Sequence, residues 1–180
     1  QGVYILNSKD LCTITILPEI VRTGVSSLKI EGRNKSSHYV AVVVKMYREA
    51  LDMIASGSEF KVDPQWMREL DNVEHRPYTL AFYGNDIAMQ EVFTSKAAAG
   101  YRVVGVVKGT MKGGDPVIDV KNSFIPGEQL NVLPVQQKLP SYEVSFSSLT
   151  DLSGNPVEKA QSNRLVIGTG AGRLRPGDML

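Results

Sequence analysis

Three charged side chains stand at alternating positions in one short stretch: Lys29, Glu31 and Arg33, within Ser27-Leu28-Lys29-Ile30-Glu31-Gly32-Arg33-Asn34-Lys35-Ser36. An ammonium and a guanidinium hold carboxylate or phosphate groups, and a carboxylate beside them accepts a proton or orients another group. Leu28 and Ile30 alternate with Lys29 and Glu31, which predicts a strand with two aliphatics on one face and a cation–anion pair on the other. A buried strand does not carry Lys and Glu on its inner face unless they pair with each other or act on something. The residues alone leave both readings open.

The elements that must position these charges follow directly. Gly32 permits a sharp exit from the strand, and Asn34, Ser36 and Ser37 can each cap the helix behind it. Tyr39, Val40, Val43, Val44, Tyr47, Leu51 and Ile54 recur at three- and four-residue spacing, which predicts a helix over 37–55 with these residues as its apolar face. Gly57 ends it. Before the strand, Val3–Leu6 reads as a buried strand and 7–10 as a polar loop. Leu11 to Arg22 reads as a helix in two pieces, the second begun by Pro18 and closed by Gly24. Residues 3–56 are therefore expected to run β-α-β-α, the repeat of a parallel α/β structure.

Asp63-Pro64 opens a short helix with Trp66, Met67 and Leu70 on its apolar side, and Ala97–Gly100 reads as a linker. Beyond it the pattern changes. Tyr101–Val107, Val117–Val120, Gln129–Leu133, Tyr142–Ser148 and Leu165–Ile167 are five short β-rich runs punctuated by glycine and proline. Such spacing predicts an all-β sandwich or small barrel. Val103, Val104, Val106 and Val107 suit a strand buried on both faces. Pro126-Gly127-Glu128-Gln129-Leu130 and Pro176-Gly177-Asp178-Met179-Leu180 suggest one turn-into-strand device used twice.

Composition narrows the function classes. The 180 residues carry a net charge of +1, so nucleic acid or a membrane surface could be held only through a local patch. The longest apolar runs fall far short of the roughly 20 residues that span a bilayer. No charged-then-apolar leader opens the sequence, which makes the cytoplasm the expected compartment. The single cysteine, Cys12, excludes an internal disulfide framework and an all-cysteine metal site built from this chain. His38 and His75 stand far apart, without partners at metal spacing. Gly168–Gly172 lacks the lysine and following helix of a phosphate loop and reads as a hairpin. The start at Gln1 and the turn-like Arg175–Asp178 before Leu180 look like ends cut from a longer chain.

The segments Tyr4–Cys12, Gly24–Arg33, Tyr39 and Tyr47-Arg48-Glu49-Ala50-Leu51-Asp52 closely resemble peptidase family U-thirty-two, the collagenase-like peptidases. That family also includes bacterial proteins required for hydroxylating tRNA and ribosomal RNA. Glu74–Thr79, Val120–Phe124 and Pro126-Gly127-Glu128 fit the same family more loosely. The resemblance implies an α/β plus all-β fold. Residues 1–97 would be the C-terminal βα units and linker of a (β/α)8-type barrel, and 98–180 a small C-terminal β-barrel. It implies either a peptidase or a prephenate-linked, iron–sulfur-dependent RNA hydroxylation protein, with the β-barrel as a substrate-binding or adaptor module. The implied partners are the upstream barrel domain of the same protein and tRNA or rRNA, or alternatively a protein or peptide substrate. The family's cysteine-rich signature is absent here, so a cluster belongs to the full-length protein rather than to this segment.

Within that barrel, Lys29 and Glu31 are expected to face the interior and Arg33 to sit at the C-terminal mouth of its strand, where sites gather. Glu31 is then the catalytic candidate, and Lys29, Arg33 and Lys35 the substrate-binding ones; the competing expectation is a structural ion pair. Cys12 is either an iron–sulfur ligand or a small buried thiol. Lys108, Lys112, Arg173 and Arg175 sit in or beside loops of the β-domain and read as an RNA-phosphate patch or as a solvated surface. Asp10, Lys35, Arg48 and Asp52 are expected to be solvated or paired, with Arg48 reaching from helix to strand.

Overall fold

The computed structural model describes residues 8–84, 101–136, 139–172 and 174–180. The expected strand at Val3–Leu6, the linker at Ala97–Gly100 and Arg173 lie outside them. The chain divides into two compact units, 1–101 and 102–180.

The first unit is built on helices. After the short strand β1 (Asp10–Leu11), a 3-10 turn at Ile14–Ile16 leads into helix α1 (Leu17–Arg22), with Pro18 in its first turn. The two-piece helix expected over Leu11 to Arg22 is present only from Ile14, because Leu11 pairs as strand instead. Helix α2 (Ser37–Ala55) is capped by Ser36, whose hydroxyl accepts from the Tyr39 N–H. Helix α3 (Pro64–Asp71) is capped by Asp63, whose carboxylate accepts from the Gln65 N–H. Strand β2 (Tyr78–Thr79) pairs in parallel with β1, Asp10 opposite Tyr78 and Leu11 opposite Thr79. Ile14, Leu17, Val42, Met46, Ala50, Leu70 and Val73 fill the core.

Several expectations fail in this unit. The buried stripe of α2 is Tyr39, Val42, Val43, Met46 and Ala50, while Val40 and Val44 are exposed. The helix is apolar on more than one side, so periodicity alone finds Tyr39 and Val43 but also takes in the exposed Val40 and Val44 and misses Val42, Met46 and Ala50. The stretch around Leu28–Ile30 forms no strand. A strand exists through ladder hydrogen bonds, and among the described residues none reaches this stretch. Its end curls instead: the Lys35 N–H donates to the Gly32 carbonyl, and Glu31 Oε1 accepts from the Arg33 N–H. Arg48 also departs from expectation, pairing with Asp52 one turn along its own helix at 2.6 Å.

The second unit is all β. Strands β3 (Gly105–Thr110), β4 (Pro116–Val120), β7 (Ser148–Thr150) and β8 (Leu165–Thr169) form an antiparallel sheet in the order β3-β4-β8-β7. Strands β5 (Leu130–Val132) and β6 (Tyr142–Val144) form an antiparallel pair. Tyr142–Ser148 was expected as one strand; it bends so that β6 bonds to β5 and β7 to β8. The first run starts at Gly105 rather than Tyr101, and Val104 and Val107 are its buried valines while Val103 and Val106 are half-buried. The C-terminal residues bond to both sheets. Leu180 exchanges hydrogen bonds with Gly105, and Met179 exchanges them with Leu133.

The repeated proline–glycine device is present in both places. Glu128 N–H donates to the Ile125 carbonyl and Asp178 N–H to the Arg175 carbonyl, closing four-residue turns. Gly127 and Gly177 take φ of 83° and 97°, as the third position of a type II turn requires. In each turn the acidic side chain accepts from the N–H of the first residue, Glu128 from Ile125 and Asp178 from Arg175. The core of this unit packs Phe124 against Phe146, with Ile118, Val120, Val132 and Leu149 around them.

Candidate functional site

The first unit holds a cavity of 570 Å³ walled by 8–13, 28–35, Tyr39, Val43, Tyr47, Leu70, Arg76 and Tyr78. Its charged lining is Lys9, Lys29, Arg33, Lys35 and Arg76 against Asp10 and Glu31. Cations outnumber carboxylates, and the cavity is therefore suited to an anion. All four of the sequence-predicted residues Lys29, Glu31, Arg33 and Lys35 come together here, along with Cys12.

These four are not equivalent. Lys35 Nζ donates to Asp10 Oδ2 at 2.8 Å and to the Glu74 carbonyl at 3.1 Å, and lies 4.9 Å from the centre of the Tyr39 ring. Two of its three donors are used, and an aromatic face lies beside it. Lys29 and Glu31 approach only to 3.9 Å, with side chains 88 % and 70 % exposed. The guanidinium of Arg33 meets no protein acceptor among the described residues; only its backbone N–H is engaged, by Glu31. An exposed ion pair of this kind contributes little to stability, so these three side chains are available to a ligand.

Sequence reasoning missed the far wall. Arg76 donates its N–H to Asp10 Oδ2 at 3.3 Å, and its Nη1 donates to the Ser8 carbonyl at 3.1 Å. The Tyr78 hydroxyl donates to the Leu70 carbonyl, and its ring stacks on His75 with centroids 4.0 Å apart. The only sequence signal was the run Glu74–Thr79, which entered through family resemblance and not through its chemistry. Nothing local in the sequence announces that residues 10, 35 and 76 meet.

The buried side of the cavity holds neutral groups. Burial pushes the Cys12 thiol up, partly offset by hydrogen bonds from the Ile14 backbone and Tyr47. Burial also lifts the Tyr47 hydroxyl to about 12 and raises Tyr39 and Tyr78. Among the described residues no histidine hydrogen-bonds to Cys12; its neighbour is the Tyr47 hydroxyl at 4.0 Å. Among the described residues no nucleophile–base pair is assembled around Cys12. An iron–sulfur cluster takes several thiolates, and this chain offers one, held neutral. Among the described residues no three His, Cys, Asp or Glu side chains gather to hold a metal ion. The residues present do not fit a cluster by themselves.

In the second unit two of the predicted cations, Lys108 and Arg175, are separately engaged. Lys108 lies 3.5 Å from Asp119, which also holds Lys121 at 2.9 Å. Arg175 Nη1 donates to Gln136 Oε1. Lys112 stands in the turn between β3 and β4.

Comparison with known proteins places the chain. Residues 1–92 match the model of Peptidase family U32. The tRNA hydroxylation protein P of Escherichia coli is 36 % identical over 139 residues, covering 76 % of this chain and 30 % of that protein. The tRNA hydroxylation protein P1 of Bacillus subtilis is 29 % identical, covering 88 % and 38 %. A collagenase of Porphyromonas gingivalis is 24 % identical across 100 % of this chain and 44 % of its own length. The C-terminal domain of a U32 peptidase of Geobacillus thermoleovorans superposes with a TM-score of 0.39 at 20 % identity, covering 44 % of this chain and 96 % of that one. The chain thus spans less than half the length of these curated relatives. Among the described residues no helix is long and apolar enough to cross a membrane. The chain belongs to Peptidase family U32.

Proposed function

We propose that this chain is part of a cytoplasmic RNA-hydroxylation protein of the family, and that the cavity of its first unit holds a phosphate of the RNA. The observation that carries this reading is the Arg33 guanidinium, which meets no acceptor among the described residues, beside a loosely held Lys29–Glu31 pair in a cation-rich cavity. A guanidinium presents a fork that matches two oxygens of a phosphate or carboxylate. Arg33 and Lys29 hold the anion, and Glu31 orients the neighbouring group or accepts its proton. Two relatives named for tRNA hydroxylation support the choice of RNA. Any iron–sulfur cluster draws its ligands from elsewhere in the protein.

Residues 1–97 are, on this reading, the end of a (β/α)8-type barrel. Residues 102–180 form a small β-barrel that serves as a substrate-binding module. The bonding circuit β5–β6, β7–β8–β4–β3 and back through Met179 to Leu133 supports closure. Lys108, Lys112, Arg173 and Arg175 are its candidate RNA contacts.

The peptidase reading has support of its own, including a collagenase relative that matches along the whole chain. Arg33→Met in the full-length protein separates the two. Mass spectrometry of nucleosides from digested tRNA is expected to show loss of the hydroxylated species, with no gelatin cleavage by either form. Gelatin cleavage abolished by the substitution, with tRNA unaffected, would overturn the proposal.

A further inference from the structure

We infer that Asp10 is an internal competitor in the anion site: it occupies Lys35 and so leaves recognition of the phosphate to Arg33 and Lys29. This rests on the phosphate reading of the cavity given above. Asp10 is fixed by its own backbone, since its N–H donates to the Pro77 carbonyl and its residue pairs with Tyr78 across β1–β2. Its carboxylate is one-fifth exposed, and Oδ2 accepts from both Lys35 Nζ and the Arg76 N–H. A carboxylate held this way is a permanent counter-anion lining the cavity.

The consequence for Lys35 is geometric. An ammonium has three donors. Here one goes to Asp10, one to the Glu74 carbonyl, and the Tyr39 ring covers a further side. A ligand phosphate gains the full charge of Lys35 only by competing with Asp10 for it, against a 2.8 Å, charge-assisted hydrogen bond. Arg33 asks for no such exchange. Asp10 therefore sets which cations read the ligand, and through the Arg76 N–H it ties the wall that the ligand meets. It is a positioning residue that never needs to touch the anion.

The inference makes a signed prediction that a bracing role alone does not. Without its negative charge, Asp10 stops competing, and Lys35 joins the anion site. Inorganic phosphate is titrated into the 180-residue chain, and the Nε–Hε resonances of its arginines are followed by NMR, with Arg33 assigned by its substitution. Arg33→Met should weaken phosphate binding by roughly tenfold. Lys35→Met should change it by less than about twofold. Asp10→Asn should tighten it by several-fold, and Asp10→Asn combined with Lys35→Met should return it to the parent value. If Lys35→Met weakens binding as much as Arg33→Met does, Lys35 is a direct ligand and the inference is overturned. Weaker binding in a folded Asp10→Asn variant also overturns it, and the Lys35→Met arm decides alone if that variant does not fold. If the parent chain fails to bind phosphate, or Arg33→Met leaves binding unchanged, the phosphate reading itself falls and the inference goes with it.

Discussion

The two units hold themselves together differently. In 102–180, strand backbones pair with other strands of the same unit, and the last three residues bond into both sheets. In 1–101, the described pairing is a single two-residue parallel ladder, and the most chemically loaded stretch, 28–33, makes no ladder bonds among the described residues. A β-unit whose pairing is self-contained can be read from alternation and turn chemistry. A charged segment on a helical unit cannot, because what it becomes depends on what lies beside it. The first arrangement favours stability, and the second leaves side chains free for a ligand.

The sharpest way to break this contrast is to damage the self-contained core. Phe146 is buried against Phe124 and lies under Gly168, where an added Cβ would fall 2.4 Å from its ring. Phe146→Ala should cost ~3–5 kcal/mol. Its effect should show in the circular-dichroism transition. The chain's only tryptophan, Trp66, is buried in the first unit, and its fluorescence midpoint should move little. Equal shifts in both signals would mean that the units unfold as one.

A smaller effect is expected at the start of α2. Ser36 caps the helix that carries Tyr39 and Tyr47, and Ser36→Ala should lower stability by about 1 kcal/mol, read from the Trp66 transition. A change below about 0.3 kcal/mol would show that packing alone holds the helix start.

Smaller still is a dependence on pH. Burial raises the Cys12 thiol above its ordinary range and lifts Tyr47 to about 12. Both groups are neutral in either state at low pH, so their contribution is complete there. As pH climbs past about 8.5 the unfolded thiol ionises first, and first-unit stability falls. Cys12→Ala should flatten the slope of the Trp66 midpoint against pH between 8 and about 10. An unchanged slope would assign the dependence elsewhere.

Much of the fold was legible in the sequence for identifiable reasons. Ser36, Pro18 and Asp63-Pro64 mark helix starts by chemistry that acts within one turn, and the Pro-Gly-acid turns do the same at 126–128 and 176–178. Leu28–Ile30 misled because alternation is necessary for a half-buried strand but does not supply a neighbour. Val40 and Val44 misled because α2 carries apolar residues on more than one side. At the site, Lys29, Glu31, Arg33 and Lys35 were legible as charges out of place. The junction of Asp10, Lys35 and Arg76 was not, since tertiary contacts across 25 and 66 residues leave no local pattern.

The central claim is that the Lys29–Glu31–Arg33 stretch is a ligand site and not a structural ion pair, and Glu31→Ala in the full-length protein tests it most directly. Glu31 is 70 % exposed and the Lys29 ammonium stands 3.9 Å away, so the midpoint of denaturation should shift by about 0.5 kcal/mol or less. Hydroxylated nucleoside in tRNA, measured by mass spectrometry per folded molecule, should meanwhile fall steeply, by roughly 100-fold for lost proton transfer. A large drop in midpoint with hydroxylation retained per folded molecule would contradict the account.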